Sequence, residues 1–220
     1  EQVTLELLRD KSGYNQAYGP DLLEGIAPER VYNDVILKGR LKAAIDQLNP
    51  HIPISAREEA FKKILRAESL TLIDNNQAFH RHLTEGVDVK FGVGEGKSRA
   101  DKVWLIDFTH PENNDFLAVN QYTVVENNVN KRPDIVLFIN GLPLVVIELK
   151  KPGVPARAAF DENLTHYKKE IPQLFWFSAL LSASNGTDSR VGSLTADWGR
   201  FFEWKRIERE DEPPRVSLEV

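Results

Sequence analysis

The chain contains neither cysteine nor methionine among its 220 residues. Without thiols there is no disulfide scaffold, no thiolate metal site and no cysteine nucleophile, and a reducing cytosol is the expected compartment. Missing methionine, in a chain that opens on Glu1, is what a processed or truncated sequence would show, so native termini are not assumed. No apolar run approaches the roughly eighteen residues of a membrane span, and no signal peptide opens the chain. A basic excess is missing too. Lys and Arg number 28 against 33 Asp and Glu, a formal charge of −5, so any nucleic-acid contact must come from a local patch. What is present is globular: 41% hydrophobic and 28% charged residues suit one good-sized domain.

Apolar spacing predicts a helix-rich first third. Residues 1–13 read as a short helix closing near Gly13, and 18–28 as a Gly- and Pro-dense loop. Leu37, Leu41, Ile45 and Leu48 recur at helical spacing within 34–48, and Asn49-Pro50 stops them. Ser55 and Glu58 have capping-box spacing before a helix through Phe61, Ile64 and Leu65. A third helix runs through Leu72, Phe79 and Leu83 to Gly86. The period then changes. Strands are expected at 87–91, 103–108, 116–125, 135–139, 144–147 and 175–183, with a helix over 156–170 ended by Pro172. The runs at 135–139 and 144–147 are continuously apolar, which suits strands covered on both faces. The polar stretch 205–215 reads as a boundary.

One apparent motif is set aside. The segment from Phe91 to Ser98, FGVGEGKS, ends like a phosphate-binding loop, but Phe91 stands where the pattern requires glycine, so it reads as a β-turn.

The informative residues are Arg132-Pro133-Asp134 and, thirteen residues after Asp134, Glu148-Leu149-Lys150. Asp134 opens one apolar strand; Glu148 and Lys150 close its hairpin partner and, two apart, share a face. Either group could be a solvated strand-end charge. Beside a buried sheet, however, two carboxylates are costly to desolvate without a compensating ion. Hard oxygen donors suit Mg²⁺, and the set then fits phosphodiester hydrolysis, with Lys150 placing water and offsetting charge. Strand parity adds a condition. A plain two-residue Asn140-Gly141 turn would set Asp134 opposite Ile147 and put Glu148 on the other face. The metal site therefore requires an odd-length loop or a bulge. We expect a three-residue Ile139-Asn140-Gly141 loop, with Phe138 opposite Leu142 and Asp134 opposite Val146.

The segment RPDIVLFINGLPLVVIELKKP resembles the PD-(D/E)xK nuclease segment of the restriction subunit of type I restriction–modification enzymes. Similarity extends to GYNQAYGPD, YNDVILKGRLKAAIDQLNP, FHRHLTEGVDV and SNGTDSRVGSLTADW. The resemblance implies an α/β, restriction-endonuclease-like mixed β-sheet flanked by helices. It implies an endonuclease domain over 1–204, mostly helical to 86 and sheet-rich after it, with 205–220 leading toward an ATP-driven motor outside this chain. Asp134 and Glu148 match the family's Mg²⁺-binding carboxylates and Lys150 its catalytic lysine. Asn163 and Tyr167 match a Gln-x-x-x-Tyr element, with Asn one methylene shorter than the usual Gln. Glu1 is the best match to a first-helix Glu, and His80 to an upstream His. ATP would serve the motor alone. The implied partners are double-stranded DNA and the modification and specificity subunits, in the prokaryotic cytoplasm, with no membrane.

Lys151, Arg157, Lys168 and Lys169 are candidates for DNA phosphate contacts, or simply a solvated basic face. Two other readings compete with the nuclease. An inactive binding or assembly module would be free to lose any of Asp134, Glu148 or Lys150. A glycosidase would use two separated carboxylates in a sugar cleft, lined by tryptophans such as Trp104, Trp176, Trp198 or Trp204.

Overall fold

The structure is a computed structural model that describes residues 1–94 and 96–203. The elements run α1 (Gln2–Ser12), β1 (Asn15–Tyr18), α2 (Asp21–Glu24), α3 (Lys38–Leu48), α4 (Ile54–Ile64) and α5 (Leu72–Glu85). There follow β2 (Val87–Gly94), β3 (Lys97–Val103), β4 (Phe116–Asn120), β5 (Val124–Glu126), β6 (Val129–Lys131), β7 (Ile135–Ile139) and β8 (Leu142–Leu149). A helix over 157–170, here α6, contains a π-wound segment Ala159–Leu164 and continues through Thr165–Glu170. Last come α7 (Pro172–Phe175), β9 (Leu180–Ser184), β10 (Ser189–Gly192) and β11 (Phe202–Glu203).

Among the described residues, seven strands form one sheet in the order β1-β4-β7-β8-β9-β10-β11. It is mixed: β1 is parallel to β4 and β8 to β9, and the other pairs are antiparallel. This is the mixed sheet flanked by helices expected of a restriction-endonuclease-like fold. One face carries α1, whose Leu5 packs on Ala118, Ile135, Leu137 and Ile147. The opposite face buries Val136, Phe138, Leu144 and Val146 beneath α3, α4, α5 and α6. Strands β7 and β8 are thus covered on both faces, as their unbroken apolar runs require.

Several expectations are corrected. The stretch 104–108 forms no strand; β3 ends at Val103. Side-chain amides satisfy its backbone instead: Asn49 bonds both N and O of Trp104, Asn140 donates to Leu105 O, and Asn114 bonds N and O of Asp107. Phe175, Trp176 and Phe177 precede the strand rather than begin it. Pro172 opens a helical turn there, and the Asn76 amide donates to the carbonyls of residues 175, 176 and 178. Helix α4 is capped by Pro53, without a side-chain cap, so Ser55 lies inside its first turn. Helix α3 starts at Lys38, because Tyr122 Oη bonds the carbonyls of Asp34 and Val35 and Leu37 N donates to Gly141 O. Edge strand β1 was not anticipated within its polar sequence. The stretch 205–215 lies outside the described residues.

Candidate active site

The β7–β8 hairpin builds the site, and its register decides the chemistry. Asn140 and Gly141 both have positive φ, 53° and 77°, and make a two-residue turn with Ile139 opposite Leu142. The expected three-residue loop is not formed. Between Phe138↔Pro143 and Leu137↔Val145 the register shifts by one, leaving Leu144 as the extra residue of a β-bulge. Pro143 has no N–H to give the ladder, so the pairing breaks beside it at little cost. Beyond the bulge, Val136 pairs with Val146 and Ile135 with Ile147. Continued one step, this register sets Asp134 directly opposite Glu148. The bulge alternative therefore holds, and both carboxylates lie on the side of Val136 and Val146.

Their contacts are reciprocal. Asp134 N donates to Glu148 Oε1 at 3.2 Å, and Leu149 N donates to Asp134 Oδ2 at 2.8 Å. Glu148 is only 2% exposed. Burial, and then the Asp134 charge, push its carboxyl up to about 8. Burial also raises Asp134 above the usual carboxylate range; the Leu149 N–H opposes this and neighbouring Glu1 adds to it. Such a pair is a poor place for two anions and a good place for anions with a cation between them. Among the described residues no three His, Asp or Glu side chains are spaced to cage an ion. A two-carboxylate donor set fits Mg²⁺, which keeps several waters of its own.

Lys150 extends from the same strand end toward α6. Its Nζ donates to Glu162 Oε2 at 2.8 Å and to Asn163 Oδ1 at 2.9 Å. Asn163 Nδ2 in turn donates to Tyr167 Oη at 3.1 Å. The shorter Asn thus still bridges Lys150 and Tyr167. Two consecutive helical residues reach one ammonium where the helix is π-wound, a distortion common at functional sites. Tyr167 is buried, and its hydroxyl is raised first by desolvation and then by the Glu148 charge.

Glu1, at the start of α1, also arrives here: both its carboxylate oxygens accept from Gln121 Nε2 at 2.7 Å. His80 does not. Its Nε2 lies 3.0 Å from Ser178 O, docking α5 on the loop before β9, at the other end of β8 from Glu148. Of the basic residues, Lys151 and Lys169 are exposed, as is Arg132, which precedes Pro133-Asp134. Arg157 pairs with Asp161 at 2.9 Å. Lys168 is turned inward, donating to Leu194 O and lying over the Phe160 ring, with burial lowering its pKa. Among the described residues the tryptophans form no sugar cleft with the carboxylates: Trp176 and Trp198 pack on the core and Trp104 is fixed at Asn49, while Trp204 is outside the described residues. Gln121 and Glu162 escaped the sequence reading, and Arg132 was read only as the residue that opens the Arg132-Pro133-Asp134 segment.

Residues 1–200 match the family described as the N terminus of the type I restriction enzyme R protein. The chain belongs to this family. Its whole length is 37% identical to the HindI type I restriction enzyme endonuclease subunit of Haemophilus influenzae, and covers 21% of that protein. A Methanocaldococcus jannaschii protein that bears the name putative type I restriction enzyme MjaIXP endonuclease subunit is 35% identical over the full chain, again 21% of the relative. The EcoprrI endonuclease subunit of Escherichia coli is 38% identical over 44% of this chain. The chain therefore spans about one fifth of the length of its full-coverage relatives. Among the described residues, no helix of this R-protein N-terminal domain is long and apolar enough to cross a membrane.

Proposed function

We propose that this chain is the Mg²⁺-dependent endonuclease domain of a type I restriction enzyme, hydrolysing DNA phosphodiester bonds. The observation that carries the reading is the facing of Asp134 and Glu148 across the bulged hairpin, with Lys150 on the same strand end. Asp134 and Glu148 would hold the ion. A bound Mg²⁺ supplies polarisation of a phosphoryl oxygen and acidification of water. Glu148 would have to be ionised to hold the ion. Lys150, held between Glu162 and Asn163, orients the attacking water and offsets charge at the phosphorus. Tyr167 fixes the amide that fixes Lys150. Arg132, Lys151 and Lys169 meet the DNA backbone around the cleaved bond, contacts that place the strand without reading its sequence.

The same reading places this domain over 1–204, with 205–220 leading to an ATP-driven motor, modification and specificity subunits as partners, and the prokaryotic cytoplasm as its compartment. An inactive assembly module would not need Asp134, Glu148 and Lys150 together, and all three are present. The test is substitution in the full-length protein. Asp134→Ala, Glu148→Ala or Lys150→Ala should each lower DNA cleavage by roughly 100-fold or more while ATP hydrolysis persists. A variant that cuts at the wild-type rate removes that residue from the mechanism.

A further inference from the structure

Among the described residues, four other than glycine adopt left-handed backbone, and three of them are asparagine. The fourth is Gln121, with φ 56°. Glutamine has no short side chain to favour that conformation, so its presence there calls for a reason beyond the turn itself. Continued strand alternation would send the Gln121 side chain to the face of Leu117 and Val119, away from α1. The left-handed turn re-aims it. Its Nε2 then meets both oxygens of Glu1 at 2.7 Å, while its backbone N–H donates to Asp134 O at 2.9 Å. One residue thereby ties the main chain of Asp134 to the side chain of Glu1. The turn is braced from the other side by Gly19, which donates to Asn120 O at 2.8 Å. A Cβ at Gly19 would stand 2.3 Å from Gln121 O, so the two segments approach as closely as bare backbone allows.

We infer that Gln121 is a positioning residue that fixes the Glu1 carboxylate against Asp134, adding a third negative charge beside the two ion-holding carboxylates. The inference rests on the metal-site reading above. Gln121 acts through Glu1 and Asp134 and touches no reacting group.

The test separates backbone from amide in the full-length protein. Gln121→Gly keeps the left-handed turn at no strain and removes the amide; Gln121→Glu keeps the shape and replaces the donor with a charge. Metal-free thermal unfolding of Gln121→Gly should match or exceed wild type. Its Mn²⁺ affinity, read by titration without DNA, should fall roughly tenfold, as it should in Gln121→Glu and Glu1→Gln. The Gln121→Gly, Glu1→Gln double variant should lose no more than the worse single, because both remove one interaction. Wild-type Mn²⁺ affinity in Gln121→Gly, or additive losses, would overturn the inference. Asp134→Ala serves as the reference. If it abolishes Mn²⁺ binding while Gln121→Gly keeps wild-type affinity, the positioning role alone falls. If Asp134→Ala leaves Mn²⁺ binding intact, the metal site falls and the positioning role with it.

Discussion

Glu148 is a carboxyl held neutral by its surroundings, and that inverts the usual dependence of stability on pH. In the unfolded chain it ionises near its ordinary value; in the folded, metal-free protein it does so only at about 8. The folded state therefore binds more protons between those limits, and stability falls as pH rises through that window. A Glu148→Gln variant, which carries no such charge, should gain on the wild type from about pH 5 to about pH 8, by an amount on the order of a few kcal/mol, and level off above it. Chelated protein followed by thermal unfolding across that range measures this. A constant gap between the two proteins would mean that Glu148 is ionised throughout. Added Mg²⁺ or Mn²⁺ should close the gap at high pH, where the carboxylate is ready to bind.

At the scale of elements, the hairpin turn and the bulge have separate tasks. The turn docks the hairpin: Gly141 O accepts from Leu37 N at 3.0 Å, at the start of α3. A Cβ at Gly141 would lie 2.5 Å from Leu37 O and 2.9 Å from Leu41 N, at a φ of 77° that L side chains seldom adopt. Gly141→Ala should accordingly destabilise the protein by about 3 kcal/mol or more, read from denaturant unfolding. An effect within experimental error would show that α3 yields easily. The bulge, by contrast, sets parity. Without the extra residue at Leu144, Asp134 would face Ile147, and its partner carboxylate would lie under α1. A single inserted residue thus makes the difference between two facing carboxylates and two separated ones.

For the whole molecule, charge governs how it meets nucleic acid. The net charge of −5 repels a polyanion, and cations near the site are few. Of the seven basic residues from Lys131 to Lys169 nearest in sequence to the site, Lys131 pairs with Glu170, Lys150 with Glu162 and Arg157 with Asp161, while Lys168 bonds a carbonyl. Arg132, Lys151 and Lys169 remain on the surface. About three phosphate contacts predict weak duplex binding by this chain, with a log–log salt slope of about −3. Fluorescence anisotropy over a salt series measures the slope. Tight binding at physiological salt would point to a further basic surface on the chain.

The order of residues alone placed the apolar strands and the charged groups at their ends. Unbroken β-branched runs have no other stable place than a sheet covered on both sides, and Asp134, Glu148 and Lys150 stand where those runs stop. It also located the helices of the first third, whose spacing is local information, but not the residues at which α3 and α4 begin. Three decisions belonged to the tertiary structure. Strand 104–108 was lost because Asn49 and Asn140, distant in sequence, together with nearby Asn114 satisfy its backbone instead. His80 was drawn to the loop before β9 because helix α5 docks there, and a helix periodicity carries no address for its neighbour. Gln121 came to Glu1 because a left-handed turn at the end of β4, permitted by the close approach of Gly19, broke the alternation on which a strand reading depends. Each of these rests chiefly on contacts between segments far apart along the chain, and such contacts leave no period in the sequence.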